Sequence, residues 1–333
     1  MEFIDRVLSL PEFTADPPVL VEIGASGGTH PAWQALARYS IGIAFDPDSR
    51  QMQVVHDETT GYRRLHIFPA AAVPDETSDA AFHLTRSPYC SSLLRPDGEA
   101  LGDWDFARLF DVERIVRVPC MTLAKALKEA AVTRVDWFKT DSQGIDLRLF
   151  QSLGETICRR VLAVEFEPGI IDAYEGEDKM ATVLATMDRA EFWLSDLQLR
   201  GTLRMSPEDA ARLGGHESMR LSAVLPTAPG WGEMRYLNTF RGGEPFSKRD
   251  WLLGWVIACM NQQFGFALDL CRRAHVAVPD AIFGKLASDT ERMIHERIRR
   301  GRAGLVVRSA VRGARSFGRW LLKPGQSDGT KRS

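Results

Sequence analysis

The sequence predicts a doubly wound α/β sheet followed by a C-terminal helical appendage, and three observations carry that expectation. Short β-rich apolar runs alternate with helical stretches from about residue 19 to about residue 167, the signature of βαβ units and a parallel sheet. A glycine-rich turn follows the first apolar run and opens a helical stretch. The 333 residues, 44% hydrophobic and 26% charged, suffice for one large α/β domain with an appendage.

Strands are expected at Val19–Ile23, Ile41–Phe45, Leu65–Phe68, Val135–Thr140 and Val161–Glu165, with an irregular strand at Ala80–Thr85. Helices are expected at Ala32–Tyr39, at Leu123–Ala131, where apolar residues recur at three- and four-residue spacing, and at Ile145–Leu153. A helix from Met180 leads to an apolar run at Phe192–Leu199. A stretch containing Pro207, Gly214, Gly215, Pro226, Pro229 and Gly230 then reads as loops, before a last strand near Met234–Phe240. Ser247 with Asp250 three residues later is a capping-box signal, opening a helix that runs to about Arg273. The organisation expected is a cofactor-binding domain over 1–245, a helical extension over 246–290, and a basic amphipathic helix with a polar tail over 291–333.

Composition excludes several classes. A formal net charge of −2 gives no global attraction to nucleic acid or membrane. The five cysteines are odd in number and widely spaced, with no CxxC pair, so neither a disulfide framework nor a zinc site is expected. The opening MEFIDRVLSLPEF has acidic residues and no basic leader, and the longest apolar run, Trp251–Met260, is about half of what a membrane span needs. The expectation is a cytoplasmic protein with reduced thiols.

VLVEIGASGGTH sets Glu22 at a strand end ahead of Gly24, Gly27 and Gly28. A dinucleotide fingerprint read from Gly24 needs glycine at positions 26 and 29, which hold Ser26 and Thr29. A pyrophosphate is therefore poorly served. S-adenosylmethionine has none; it needs space beside the glycine turn and a carboxylate for its ribose hydroxyls. Asp46 ends the second strand 22 positions after Gly24, where such a carboxylate faces a ribose.

On these residues the chain resembles the FkbM family of methyltransferases over roughly Val19 to Phe240. The family's acidic residue and Gly-Ala-Asn turn are matched by Glu22, Gly24, Ala25 and Ser26, its acidic-Pro pair by Asp46–Pro47, and its Ser-Ser-Leu block by Ser91–Ser92–Leu93. Thr122–Leu123 resembles its Thr-Leu helix start. Its most specific block is matched in VDWFKTDSQGIDLRLF by Asp136, Phe138, Lys139, Asp141, Gln143 and Gly144, with Asp146 in place of the usual glutamate. Glu165 and Glu167 resemble the acidic end of its fifth strand, and WGEMRYLNTF its last strand. The resemblance implies a Rossmann-like class I methyltransferase fold and S-adenosylmethionine as cofactor, held by Glu22, Gly24, Ala25, Ser26, Gly28, Asp46 and Asp141.

Methyl transfer is an in-line displacement, so the protein's tasks are alignment and exclusion of water. A neutral hydroxyl also profits from a base. Asp141, at the carboxyl end of the fourth strand, is the first candidate; its alternative role is to cap the helix that follows. His30 and His83 are the other candidate bases, each with a structural alternative. Lys139 either pairs with a carboxylate or faces outward. Ser91, Ser92, Gln143, Glu165 and Glu167 are candidates for acceptor contact. No clustered metal-ligand spacing accompanies them, so no metal is expected.

Arg308, Arg312, Arg315 and Arg319 recur at spacings of four, three and four, forming one basic stripe on a helix opposite apolar residues. Three occupants stand for that helix, the protein's own surface, an anionic membrane face, and nucleic acid or an acidic partner chain; of these, nucleic acid is the less expected, since no RNA-binding motif accompanies the stripe, and a homo-oligomer is a further expectation. The activity expected is O-methylation of a sugar hydroxyl in polysaccharide, glycolipid or secondary-metabolite biosynthesis. The alternatives are RNA or protein methylation through the basic tail, or a catalytically silent cofactor-binding scaffold.

Overall fold

The computed structural model describes residues 2–25, 29–48, 61–214, 218–242 and 245–300. The chain divides into two compact units, Met1–Asn261 and Gln262–Ser333.

Among the described residues of the first unit ten strands form: β1 Val19–Ile23, β2 Ile41–Phe45, β3 Arg64–Phe68, β4 Ala71–Val73, β5 Asp79–Thr85, β6 Val112–Thr122, β7 Trp137–Thr140, β8 Ala163–Phe166, β9 Phe192–Thr202 and β10 Ala228–Asn238. Seven of them make one sheet in the order β3-β2-β1-β7-β8-β10-β9. β1 pairs in parallel with β2 and β7, and β7 with β8, whereas β10 runs antiparallel to both β8 and β9. Strand order reverses between β1 and β7, which creates the crevice where open α/β sheets bind ligands. The expected doubly wound architecture, with helices after the sheet, is what the chain adopts.

The local reasons are plain. VLVEI and IGIAF are buried at every position, as parallel strands covered on both faces require. Thr122 caps the Leu123–Glu129 helix, its hydroxyl accepting from Lys125 N at 3.3 Å. Phe138, Phe150 and Phe166 then stack edge-on or tilted at centroid distances of 5.5 and 5.7 Å, joining β7 and β8 to the Asp146–Ser152 helix.

Three segments differ from the sequence expectation. The Gly/Pro-rich stretch read as loops contains helices Pro207–Gly214 and Ser218–Val224, and β10 begins at Ala228 rather than near Met234. β6, eleven residues long, was not expected; its first residues are exposed and charged, and it forms the middle of a second sheet ordered β4-β6-β5. The single helix expected from Ser247 to about Arg273 is broken. Its capping box is present, yet the helix Lys248–Met260 ends where Gln262 takes a φ of +60°, and a new helix runs Phe264–Ala277.

The first unit extends beyond residue 245 because the Lys248–Met260 helix is tied to the sheet. Arg249 donates to both Asp136 oxygens at 2.8 and 2.7 Å and to the carbonyls of Asp16 and Pro17 at 2.8 and 3.0 Å. Asp136 also accepts from Val19 N at 2.8 Å. Both partners are buried, and the surrounding carboxylates outweigh the opposing effect of burial to hold the guanidinium above its ordinary pKa. In the second unit, Phe264–Ala277 is followed by a helical stretch over 281–300.

Candidate functional site

The site begins with a close backbone approach at the switch point. Gly24, at φ +80°, leaves β1 so tightly against the end of β7 that a Cβ there would collide with the Asp141 carbonyl oxygen. Only glycine meets both conditions. The turn is fixed from both sides: Gly24 N and Ala25 N donate to Phe45 O at 3.0 and 3.1 Å, and Asp141 N donates to Ile23 O at 3.0 Å.

Above this turn lies a cleft lined by Gly24, Asp46, Asp48, Asp141 and Gln143 on its polar side and by Ala71, Ala72, Phe82, Leu93 and Ile145 on its apolar side. Asp46 is buried; its Oδ1 accepts from Asp48 N at 2.8 Å and its Oδ2 takes no hydrogen bond from the described residues. Burial, reinforced by the charges of Asp48 and Asp141, pushes its pKa up to about 6. An apolar slot beside a carboxylate with a spare acceptor is the chemistry that a nucleoside needs: surface for the base, acceptors for the ribose hydroxyls. S-adenosylmethionine fits this donor set.

Asp141 does not cap the following helix. The N-cap is Ile145, with no side-chain cap bond, and Asp146 Oδ1 instead accepts from Thr140 Oγ1 at 3.0 Å and Ser142 N at 2.9 Å. Asp146 Oδ2 accepts from Glu167 N at 2.9 Å, so this buried carboxylate joins the ends of β7 and β8. Asp141 is held differently: Gln143, at φ +57°, donates its side-chain amide to Asp141 Oδ1. Tyr174 in turn donates to Gln143 Oε1 at 2.8 Å, and Ser92 Oγ to Gln143 O at 2.7 Å. Burial raises the pKa of Asp141, with Lys139 and Gln143 opposing.

A second hollow flanks the end of β7. Ten of its twelve lining residues are polar or charged: His30, Lys139, Thr140, Glu165, Glu167, Asp196, Gln198, Arg200, Glu233 and Arg235. Its cations are matched. Lys139 lies 3.4 Å from Glu22, Arg235 3.0 Å from Glu165, and Arg200 2.8 Å from Glu233. The Glu167 carboxyl, without a side-chain partner among the described residues, is pushed up to about 9 by burial and by the neighbouring Asp141. Burial lowers the pKa of His30, favouring its neutral form, and His30 Nδ1 is buried without a hydrogen-bond partner among the described residues. Its backbone N donates to Glu22 Oε2 at 2.7 Å.

The residues singled out in the sequence thus fall into distinct places. Gly24, Asp46, Asp141, Gln143 and Ser91 line the cleft, and Ala25 and Glu22 are buried beneath the turn. His30, Glu165 and Glu167 line the hollow with Lys139, which pairs with Glu22 rather than facing outward. Ser92 is buried and supports Gln143. His83 joins neither group; it pairs with Ser92 through the backbone and lines a separate hollow with Arg95, Phe110 and Ile115. Ser26, Gly28, Arg308, Arg312, Arg315 and Arg319 lie outside the described residues. Among the described residues no helix is long and apolar enough to cross a membrane. Sequence reasoning missed Tyr174, Asp196, Arg200 and Glu233. The alternation of charged and apolar residues in SDLQLR was the only local signal for two of them.

No curated protein matches the chain. A solved structure described as StiE O-MT residues 961–1257 is similar at 11% identity and a TM-score of 0.31, covering 79% of this chain and 80% of that one. The family model described as the Methyltransferase FkbM domain matches residues 24–194, a span that contains the glycine turn, Asp46, Asp141, Glu165 and Glu167. The chain belongs to the FkbM methyltransferase family.

Proposed function

We propose that the protein transfers a methyl group from S-adenosylmethionine to a hydroxyl of a polar acceptor, a sugar of a surface glycan, glycolipid or secondary metabolite. The observation that carries this reading is the charged hollow near the cleft, the two lined respectively by the consecutive residues Thr140 and Asp141 at the end of β7. Asp46 and Asp48 would hold the ribose, Phe82, Leu93 and Ile145 the base, and Gly24 and Asp141 the remaining part of the cofactor. When bound, S-adenosylmethionine supplies an electrophilic sulfonium methyl.

The protein's own work is then positioning and proton removal. Carboxylates and guanidinium groups already locked in ion pairs present fixed donors and acceptors to a polyol, which orients one hydroxyl at little further entropic cost. His30, held neutral by burial, accepts that hydroxyl's proton. Asp141 serves the cofactor side, since its carboxylate lies in the cleft under Gln143.

The test is incubation with methyl-labelled S-adenosylmethionine and fractionated lysate. Label entering glycan or glycolipid supports the proposal. Label confined to RNA or protein would replace the acceptor, and no cofactor binding by calorimetry would leave a silent scaffold.

A further inference from the structure

We propose that β9 is a homodimer interface, on which a second copy of this chain pairs antiparallel about Gln198. Among the described residues β9 is the edge strand of the seven-stranded sheet, bonded on one side only, to β10. An exposed edge is a template for another strand unless it is blunted.

The free edge has a defined length. Register shifts interrupt the β9–β10 ladder between Pro229 and Trp231 and between Arg235 and Tyr236, leaving Asp196–Arg200 as the regular stretch. Its midpoint is Gln198. Irregularities at both ends bend a strand away from its plane, so five residues are available for pairing.

Those five residues are complementary to themselves. An antiparallel two-fold through Gln198 sets Leu197 against Leu199 of the second copy and Asp196 against its Arg200, and each pair occurs twice. Leu197 is 40% and Leu199 55% exposed, two large apolar side chains on one face of an open edge. Opposite charges and apolar pairs directly across strands are the stabilising combinations, whereas like charges across strands repel. A register displaced by one residue loses the Asp–Arg match. The Arg200 guanidinium already lies along Glu233, 2.8 Å away, so it is held on the face where the second copy's Asp196 arrives.

This pairing also bears on the hollow described above. Asp196, Gln198 and Arg200 line it, so the same residues of a second copy continue its outer wall, and the two hollows adjoin across the two-fold. That consequence rests on the acceptor reading; the dimer does not.

Sedimentation of the full chain across the micromolar range tests the interface. The expected result is twice the monomer mass, reduced to monomer by Leu199→Lys with an unchanged far-UV spectrum and melting temperature. A second variant, Gln198→Cys, places identical thiols opposite each other. With diamide as oxidant it is expected to give a disulfide-linked dimer on a non-reducing gel, which the parent chain and an exposed off-edge variant, Glu208→Cys, do not give. A monomer at every concentration, or a dimer indifferent to Leu199→Lys and not cross-linked through position 198, overturns the proposal. Neither measurement involves S-adenosylmethionine or methyl transfer, so failure of the interface and failure of the methyltransferase reading are separable.

Discussion

Gly24 and Asp141, 117 residues apart in the chain, meet where β1 and β7 end, and a side chain at position 24 would occupy the space of the Asp141 carbonyl oxygen. Gly24→Ala therefore combines a backbone collision with a left-handed φ that costs a residue with a Cβ about 1–2 kcal/mol. The expected outcome is a lowered melting temperature together with loss of S-adenosylmethionine binding by calorimetry. Normal binding would mean that the turn is not part of the cofactor cleft.

Asp46 gives the cleft a pH response. Both of its oxygens accept hydrogen bonds freely only when it is ionised, since protonation turns one into a donor, and burial has moved its pKa up to about 6. The dissociation constant for S-adenosylmethionine should thus rise as pH falls from 7 through 6 toward 5. Asp46→Asn should bind weakly at every pH, with that dependence flattened. Titration calorimetry at three pH values checks both outcomes.

His30 is expected to act on the acceptor side. His30→Ala should reduce kcat by about 10²–10⁴-fold, the usual contribution of a positioned base, while leaving the cofactor's dissociation constant nearly unchanged. In the parent enzyme kcat/KM should fall at acid pH, along a limb lying below the ordinary histidine pKa because burial has lowered it. An unaltered kcat in the variant would remove His30 from the mechanism.

The Arg249–Asp136 pair makes a prediction about stability alone. Arg249→Ala leaves Asp136 buried with its charge unmatched, and breaking such a pair costs about 3–5 kcal/mol. Replacing both partners, as Asp136→Leu with Arg249→Met, should cost less than the sum of the single changes. Urea unfolding of the four proteins provides the comparison.

The cleft was legible in the sequence for a physical reason: it is built from local turns at strand ends. VLVEIG, AFDP and FKTDSQG each carry their chemistry within a few residues, and the parallel sheet brings the three together. The charged hollow was not legible in the same way. His30 and Arg235 come to one hollow only because β10 inserts antiparallel between β8 and β9, a pairing that no short-range pattern encodes. β6 was missed because its first residues, VERIVR, are solvated, and charge conceals strand periodicity. Asp141 shows the converse, since its position before a helix suggested a cap whereas the bonds of Asp146 show that the turn is closed from elsewhere.

The insertion of β10 has an evolutionary reading. Every residue named for the cleft lies before position 146, whereas Asp196, Gln198, Arg200, Glu233 and Arg235 of the hollow lie beyond the last residue matched to the family, with His30, Lys139, Thr140, Glu165 and Glu167 within the match. On the proposed function, part of acceptor recognition is thereby written in a stretch of the gene separate from donor recognition. Selection can rewrite the later stretch to change which hydroxyl is methylated while the earlier one stays fixed, and grafting residues 192–238 between family members becomes a route to exchanging acceptors without rebuilding the donor site.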